Sequence, residues 1–576
     1  GVEGLKGHVT DRRPLRDQAL QLDTMAKIFL ALCFVLRDVV TASSEMATPD
    51  ILQKLEALEK GMHALQLENH KIQLQHEKVT SENVRINDEY IKLKAGIEEG
   101  RRLASDERRL QIADLQGAMD HMWLLICGAM VMLMQAGFAM VESGCCRIKN
   151  VQNILLKNLV DVCMGTLCWY AWGYMYAYGF DEENPKDRFA GTKFYFGHEF
   201  LEADDDGNQT PTGHPLNWFF QWAFCATAST IVSGGVAERV QFPAYIVYTF
   251  FMTSFIYPVV VAWCWSSNGW LTPKGSEDAK GHLNEVGFND FAGSGIVHMT
   301  GGVGALVGAI ISGPRKGRFD KDTKENFDPH SLPLIVLGTF ILWFGWYGFN
   351  CGSTLGMSST ETGQMAAVVA MNTTLTASTA GLVVLIVRFG MTRKYDISAM
   401  CNGILGGLVS ITAGCGNVES GSAVVIGIIG GLVFVVASTV LKICKVDDPI
   451  DAFAVHGACG LWGVLAAALF DWGEGFNKYN GFQGGFSNAK NLANETDGLW
   501  SGGFAAAIVE ILVITLWVAG LSVIILLPFR VTGFLVVKDN IQDQGLDETK
   551  HSPPKAYADT PVTAPTPTQM TKVVPA

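Results

Sequence analysis

Charged residues are scarce in this sequence, and the motifs that would indicate an enzyme are missing. Only 17% of its 576 residues are charged, and the formal net charge of −13 argues against a nucleic-acid partner. The 13 cysteines include no CxxC pair of the kind that binds zinc. No phosphate-binding loop and no nucleophile–base pair of a soluble pocket can be recognised. The sequence therefore predicts no catalytic residues, no cofactor and no metal.

Long apolar segments occupy the middle of the chain, and they predict its fold class. A run of roughly 18 or more apolar residues is typical of a helix that spans a bilayer. Most of the 62 glycines lie within these runs, where small residues allow membrane helices to pack closely. We predict an all-α polytopic membrane protein in contact with membrane lipid. Its eleven transmembrane helices are expected at 122–142, 153–178, 217–236, 243–265, 292–313, 332–351, 365–388, 399–415, 421–441, 451–470 and 501–527.

Residues 1–44 are predicted to form a leader region. From Met25 onward they have the form of a signal peptide, with Lys27, the apolar run 28–36 and small residues at 41–44. The apolar run is too short to span a membrane as a helix. A wrongly placed gene start is the alternative interpretation.

Residues 51–97 carry a heptad pattern, which predicts a coiled coil within a domain at 45–117. One position of each heptad is apolar throughout, and the second is partly polar, as expected where register and oligomer number are tuned. The apolar positions are Ile51, Leu58, Leu65, Ile72, Val79, Ile86 and Leu93. A coiled coil predicts an oligomer, although the partner of this segment is unknown. A single amphipathic helix is the alternative.

The charges of the loops predict the orientation of the helices. Loops that follow odd-numbered helices are basic, whereas those that follow even-numbered helices are acidic or neutral, so the odd-numbered exits should face the cytoplasm. The basic residues are Arg147, Lys149, Arg239, Arg315, Lys316, Arg318, Lys321, Lys324, Arg388, Arg393, Lys394, Lys442 and Lys445. The N-terminus and the coiled coil are then extracellular. Two possible glycosylation sites, Asn208 and Asn494, fall on the same outer side.

Two of the twelve histidines, His298 and His456, lie well inside apolar segments. His298 follows Asp290 by eight residues at the outer end of the fifth helix, and His456 follows Asp448 by eight residues at the inner end of the tenth. Eight residues rise about 12 Å, so both rings should lie near the middle of a ~30 Å core. The arrangement predicts a five-plus-five inverted repeat with a central site. A structural role is the alternative for either histidine alone, and two imidazoles make a poor zinc site.

Several segments of the chain resemble the signatures of the ammonium transporter family (Amt/Mep/Rh). The resemblance covers roughly residues 118–535 and is carried by the stretch from Asp290 through His298 to Arg315 and by the stretch from Asp448 to Gly460. Further matching segments are 135–142, 220–224, 237–239, Trp265 and 346–353. The amino-acid sequence around Asp290 and the presence of Trp265 favour the Amt branch of the family over the Rh branch.

The resemblance implies a role for each matching residue and a homotrimer with one pore per subunit. Trp265, Phe224 and Ser353 are expected to recruit the ammonium ion at an outer vestibule, where aromatic faces attract small cations. Phe220, Phe224 and Phe349 are expected to form the gate below it. His298 and His456 would line the pore, and Asp290 would support the recruitment site. The expected function is transport of ammonium or ammonia, with deprotonation of the cation above an apolar pore.

The C-terminal residues resemble the cytoplasmic regulatory segment of the same family. We therefore assign 118–530 to the membrane domain and 531–576 to a regulatory tail whose end, rich in proline and threonine, is expected to be disordered. The resemblance makes Thr549 a possible phosphorylation site. Two other functions remain open, namely an ammonium sensor that signals through partners and an Rh-type gas channel. Location in the cell membrane is expected.

Overall fold

The structure, a computed structural model, describes residues 105–180, 189–203, 209–272, 290–470 and 503–557. The predicted leader, the heptad segment 51–97, Asn208, Asn494 and residues 558–576 lie outside the described residues. A compact unit begins at Leu110, and the contacts described below belong to it.

The described residues are almost entirely helical, and each predicted apolar segment coincides with a helix. The long helices are α1 Ser105–Cys145, α2 Ile148–Tyr178, α3 His214–Gly235, α4 Phe242–Cys264, α5 Ser294–Ser312, α6 Leu332–Gly352, α7 Thr360–Thr392, α8 Ile397–Thr412, α9 Ser420–Ile443, α10 Phe453–Phe470 and α11 Gly503–Val531. Two short helices follow, α12 Asp539–Gln544 and α13 Leu546–Lys550. An antiparallel hairpin joins β1 Leu201–Ala203 to β2 Gln209–Pro211.

Nine helices in the described part of the chain are long and apolar enough to cross a membrane. Many of the exposed large side chains on these helices are apolar, for example Leu167, Ile386 and Leu516. An apolar surface of this kind is stable against lipid tails and unfavourable against water. The chain is therefore a multi-pass membrane protein. Helices α3 and α8 do not meet the same criterion of length and hydropathy.

The first helix begins earlier than its apolar segment suggested. It starts at Ser105 rather than near 122, so the predicted domain boundary at 117 falls inside a continuous helix. Its first turns contain arginine, glutamate, leucine and alanine, all good helix formers, and therefore extend the helix beyond the apolar part. Hydropathy marks where a helix becomes apolar and not where it begins.

Helices α5 and α10 each begin with a π-helical turn. The wide turns are Ser294–Met299 and Phe453–Ala458, and they contain His298 and His456 respectively. A π-helical turn holds one residue more than an α-helical turn. The two helices also cross closely, because a Cβ atom on Gly302 would lie 2.5 Å from the Cα atom of Gly457. Glycine at 302 allows the two histidine-bearing segments to touch.

A buried ion network links the loops on one side of the membrane domain, which we call the tail side. Arg315 binds Asp447 through two nitrogens, at 2.8 and 2.9 Å, and also donates to Glu238 at 2.7 Å. Glu238 pairs with Arg147 as well. Burial alone would raise the pKa of Asp447, but the guanidinium of Arg315 outweighs it and lowers that pKa below the ordinary value. The network therefore stays charged and fixes the loops relative to one another.

The C-terminal tail packs against the same side. The carboxylate of Asp547 accepts hydrogen bonds from the backbone N–H groups of Gln152 and Asn153, at 3.0 and 3.1 Å. These N–H groups belong to the first turn of the α-helical part of α2, which begins at Val151, where N–H groups have no partner within the helix. The backbone N–H of Leu546 donates to the side-chain oxygen of Asn150 at 2.9 Å. The tail thus covers the start of α2.

Candidate transport pathway

A column of aromatic rings runs from the side opposite the tail, which we call the aromatic side, into the centre of the helices. Trp265 closes α4 and makes an edge contact with Phe224, with ring centroids 5.9 Å apart. Phe224 stacks on Phe349 at 4.1 Å. Phe349 in turn stacks on His298 at 5.2 Å. Four residues that are far apart in the sequence are therefore continuous in space.

Trp265 is held in place by Asp290, which lies four residues before the start of α5. Its indole N–H donates to the backbone carbonyl oxygen of Asp290 at 2.9 Å. The ring remains partly exposed, whereas Phe224 and Phe349 are buried. The partly exposed face of an indole attracts small cations.

The carboxylate of Asp290 binds the first turn of α5 and is fully occupied by it. One oxygen accepts the N–H groups of Gly293 and Ser294, and the other accepts those of Gly295 and Ile296, at 2.8 to 3.0 Å. Gly293 has φ = 105°, a value that favours glycine and lets the chain turn into the helix. Asp290 therefore acts as a structural cap behind Trp265.

His298 and His456 meet below the aromatic column. Their Nδ1 atoms are 3.2 Å apart and their ring centroids 5.3 Å apart. Both rings are almost completely buried. A hydrogen bond between two Nδ1 atoms requires that one ring donates and the other accepts, so one Nδ1 atom carries the proton and the other does not. The two imidazoles form a continuation of the column.

Two further residues complete the histidine site. Both lie in segments that resemble the family, but neither was predicted to line the pore. Trp346 stacks on His298 at 4.9 Å and donates its N–H to the hydroxyl of Thr412 at 2.9 Å. Phe138 lies against His456, with ring centroids 5.8 Å apart. Trp346 lies three residues before Phe349 on α6, a spacing that places both rings on one face of the helix. That spacing was the available signal for Trp346.

The remaining predicted residues lie at the edge of the column. Phe220 contacts Phe224 at 4.9 Å one turn earlier on α3, so it flanks the column at that level. Ser353 follows Phe349 by one turn, and its hydroxyl donates to the backbone carbonyl of Phe349 at 2.9 Å. That hydroxyl is still able to accept a hydrogen bond from a bound cation. Within the described ranges, no group of three or more His, Cys, Asp or Glu residues could hold a metal ion.

Thr549 lies on the short helix α13, away from the pathway. Its hydroxyl donates to the backbone carbonyl of Gly545 at 2.7 Å and is partly exposed. Tyr557 lies 3.4 Å from a ring nitrogen of His330, so the end of the described tail also contacts the membrane domain.

Comparison with known proteins assigns the chain to a family. Residues 122–557 match the model of the Ammonium Transporter Family. The chain belongs to the ammonium transporter family. The transporter is 36% identical over 451 residues to Ammonium transporter 1 member 3 of Solanum lycopersicum, which covers 76% of this chain and 93% of that protein. It is 40% identical over 424 residues to Ammonium transporter 1 member 2 of Oryza sativa subsp. japonica, which covers 71% of this chain and 80% of that protein.

Solved structures show the same relationship. A structure titled "Sensor Amt Protein" superimposes with a TM-score of 0.64 and 31% identity, and the match covers 76% of this transporter and 99% of that chain. Mep2 of Saccharomyces cerevisiae superimposes with a TM-score of 0.58 and 26% identity, and covers 73% of this transporter and 90% of that chain. The family and the transport function predicted from the sequence are thus confirmed. The transporter moves ammonium or ammonia and is not an enzyme.

Proposed function

We propose that the transporter recruits ammonium as a cation at Trp265, removes one proton, and conducts ammonia past His298 and His456. The observation that supports this mechanism is the unbroken column from Trp265 through Phe224 and Phe349 to the two histidines. Its upper end offers a cation an aromatic face, and its lower part offers neutral hydrogen-bonding groups without a counter-ion. This gradient favours a cation at the entrance and a neutral molecule in the pore.

Recruitment depends on Trp265, Phe224 and Ser353. The indole face attracts ammonium by about 0.5–2 kcal/mol, and the hydroxyl of Ser353 accepts one of its N–H bonds. Ammonium can donate four hydrogen bonds. Hydrated sodium or potassium would lose more hydration energy than these groups return. The recruitment site therefore favours ammonium over these ions.

Passage below the recruitment site requires loss of a proton. Phe220, Phe224 and Phe349 form the gate, where a bare cation would be costly. Ammonia is uncharged and can donate to, or accept from, a neutral imidazole. A proton that enters at the Nε2 atom of the donor ring, with transfer between the two Nδ1 atoms and release of a proton from the Nε2 atom of the other ring, would be relayed along the pair and reverse the hydrogen bond between His298 and His456. Transport is electrogenic if the released proton follows the ammonia by such a relay, and neutral if it does not.

The assembly that best fits these features is a homotrimer with eleven transmembrane helices per subunit. Helices α3 and α8 would also cross the membrane. An inverted repeat would relate α1–α5 to α6–α10, so that α3 corresponds to α8. The matched pairs Asp290–His298 and Asp448–His456 support this repeat. The basic loops on the tail side support an orientation with that side in the cytoplasm, and the expected location is the cell membrane. The N-terminal coiled coil and glycosylation at Asn208 or Asn494 would then be extracellular.

The recruitment site is tested by replacing Trp265 with leucine. We expect the Trp265→Leu variant to need roughly 2- to 30-fold more methylammonium for half-maximal uptake, because the cation–π attraction is lost. The measurement is uptake of labelled methylammonium into liposomes that contain the purified protein. The Trp270→Leu variant is the matched control, because Trp270 contacts Trp263 and is not one of the rings of the column. Equal concentration dependence in both variants would exclude Trp265 as the recruitment residue.

The same liposome measurement distinguishes a transporter from a sensor. The structural similarity to a protein titled "Sensor Amt Protein" favours the sensor as the second candidate. A pure sensor would bind methylammonium without net uptake by the liposomes. An Rh-type gas channel would carry ammonia, but its rate of uptake would not saturate as the concentration of the cation that binds at Trp265 rises. Saturable uptake of methylammonium is expected here.

The tail is proposed to regulate transport through its docking on α2. Phosphate at Thr549, or aspartate in its place, adds negative charge next to Glu548 and two residues from Asp547, whose carboxylate holds the start of α2. Like charges repel, so we expect Thr549→Asp to release the tail and lower methylammonium uptake severalfold. Thr549→Val, which removes the hydroxyl but adds no charge, is the control. Cleavage of the tail by added protease should be faster only in the aspartate variant, and equal rates would contradict the proposal.

A further inference from the structure

A group of charged side chains lies buried beside the tail-side end of the pathway, and the mechanism above does not use it. The group consists of Glu142 on α1, and Lys157 and Asp161 on α2, and all three are fully buried. Charged groups inside a membrane domain are costly and are kept for pathways and binding sites. The three side chains differ in how many of their polar atoms have a hydrogen-bond partner.

Asp161 is satisfied, but Glu142 and Lys157 are not. The carboxylate of Asp161 accepts from the hydroxyls of Ser229, Tyr245 and Thr249 at 2.6 to 3.1 Å. One oxygen of Glu142, Oε2, accepts from Ser233 at 2.9 Å and from Asn158 at 3.4 Å. The other oxygen, Oε1, and the Nζ atom of Lys157 have no hydrogen-bond partner among the described residues. A buried polar atom without a protein partner is a candidate site for a bound water molecule or ion.

The group contains two carboxylates, those of Glu142 and Asp161, and one amino group, that of Lys157. Arg239 also lies close to Lys157, but its nitrogens donate to four backbone carbonyl oxygens on the tail side, including that of Asp447. A small cation that donates a hydrogen bond to Oε1 of Glu142 would satisfy the open oxygen.

The position of Glu142 connects this group to the pathway. Phe138, which packs on His456, precedes it by one helical turn. Cys145, three residues further on, lines a cavity of ≈ 210 Å³ together with Asp448, Ile450 and Asp451. Spacings of four and three residues place Phe138, Glu142 and Cys145 on one face of α1. Along α1, Glu142 therefore lies between the residue that contacts the second histidine and a residue that lines the tail-side cavity.

We propose that Oε1 of Glu142 is a second binding site for a small ammonium cation, located at the tail-side end of the pathway. The site rests on the proposed transport mechanism and deepens it. It holds ammonium or methylammonium through a carboxylate, whereas the site at Trp265 holds the same cation through an aromatic face. A cation that enters from the tail side, or re-forms there from ammonia, would bind to Glu142 first.

The test compares the two sides of the membrane. Liposomes with uniformly oriented protein allow methylammonium to be supplied on either side, and the half-saturating concentration is measured for each. In the Glu142→Gln variant we expect a rise of about tenfold or more on the tail side and a change of less than about twofold on the aromatic side. Trp265→Leu should show the opposite pattern. Ser233→Ala, which keeps the carboxylate, should change the tail-side value by less than about threefold.

Several outcomes would overturn the site. Equal values for Glu142→Gln and the unaltered protein on the tail side would exclude it, and an equal rise on both sides would show that the charged group is only structural. If Glu142→Gln does not fold, Glu142→Asp keeps the charge and shortens the side chain, and should still raise the tail-side value alone. If the unaltered protein transports no methylammonium from either side, the proposed mechanism fails, and binding of ¹⁵N-labelled ammonium to the purified protein tests Glu142 separately.

Discussion

Asp290→Ala is expected to destabilise the protein and to abolish transport. The substitution leaves the N–H groups of Gly293, Ser294, Gly295 and Ile296 buried without an acceptor. A hydrogen bond to a charged group contributes about 1.5–3 kcal/mol, so the loss should reach about 4 kcal/mol or more even if the four bonds are not additive. The unfolding midpoint of the purified protein in detergent should fall by roughly 10 °C.

The effect on transport has a separate cause. The backbone carbonyl of Asp290 holds the indole of Trp265, and a disordered first turn of α5 would release that contact. We expect uptake of labelled methylammonium to fall below about one hundredth of the normal rate, because the recruitment site and the segment carrying His298 are both displaced. Asp290→Asn is the control. It has the same shape, but its amide group presents only one acceptor oxygen, so intermediate stability and partial uptake are expected.

A stable and active Asp290→Ala protein would contradict this description. It would mean that water or a neighbouring group can replace the carboxylate at all four N–H groups. A stable but inactive protein would instead show that Asp290 acts on the cation directly and not through the backbone. The melting midpoint and the uptake rate must therefore be measured on the same preparation.

The second large effect is expected for His298→Ala. The imidazole lies between Trp346, Phe349 and His456, so its removal leaves a space with an unpaired Nδ1 atom at one edge. A polar space of that size admits water. Water in the column would allow hydrated potassium or rubidium to pass. We expect the preference for methylammonium over rubidium to fall by about tenfold or more.

The measurement is parallel uptake of labelled methylammonium and rubidium into liposomes. His121→Ala is the matched control, because it removes an imidazole from an exposed position on α1 and should leave both rates unchanged. Uptake of methylammonium by His298→Ala with unchanged selectivity would refute the role given to the histidine pair. A loss of all uptake without rubidium entry would indicate collapse of the surrounding rings into the space.

The sequence was sufficient to locate the helices and the two histidines, because both depend on long-range regularities. Apolar segments set the positions of α1–α11, and the equal spacing of Asp290–His298 and Asp448–His456 placed the rings at one depth. The contact between the two Nδ1 atoms depends on Gly302 and Gly457, which lie in different helices. No local pattern reveals such a crossing. The resemblance to a family supplied the roles proposed for Trp265, Phe224 and Ser353, which physical reasoning alone left open.

The features that the sequence did not predict depend on hydrogen-bond partners far away along the chain. The carboxylate of Asp547 binds the start of α2, which lies almost four hundred residues earlier in the sequence. Glu142 appeared only as part of a family motif, and its open oxygen becomes evident when Ser233 and Asn158 are seen to bind the other one. Similarly, the role of Trp346 depends on its stacking on His298. Partner identity is a property of the packed structure.

The wide turns at the start of α5 and α10 limit how these segments can change in evolution. Each turn contains one residue in excess of an α-helix, and that residue sets the angle at which the imidazole leaves the backbone. Deleting a single residue would let the turn relax to α-helical geometry and rotate the histidine by about 100°. The spacing between acid and histidine should therefore tolerate exchanges of side chain far better than changes of length. Insertions and deletions in this lineage are expected to accumulate in the loops and to spare these two segments.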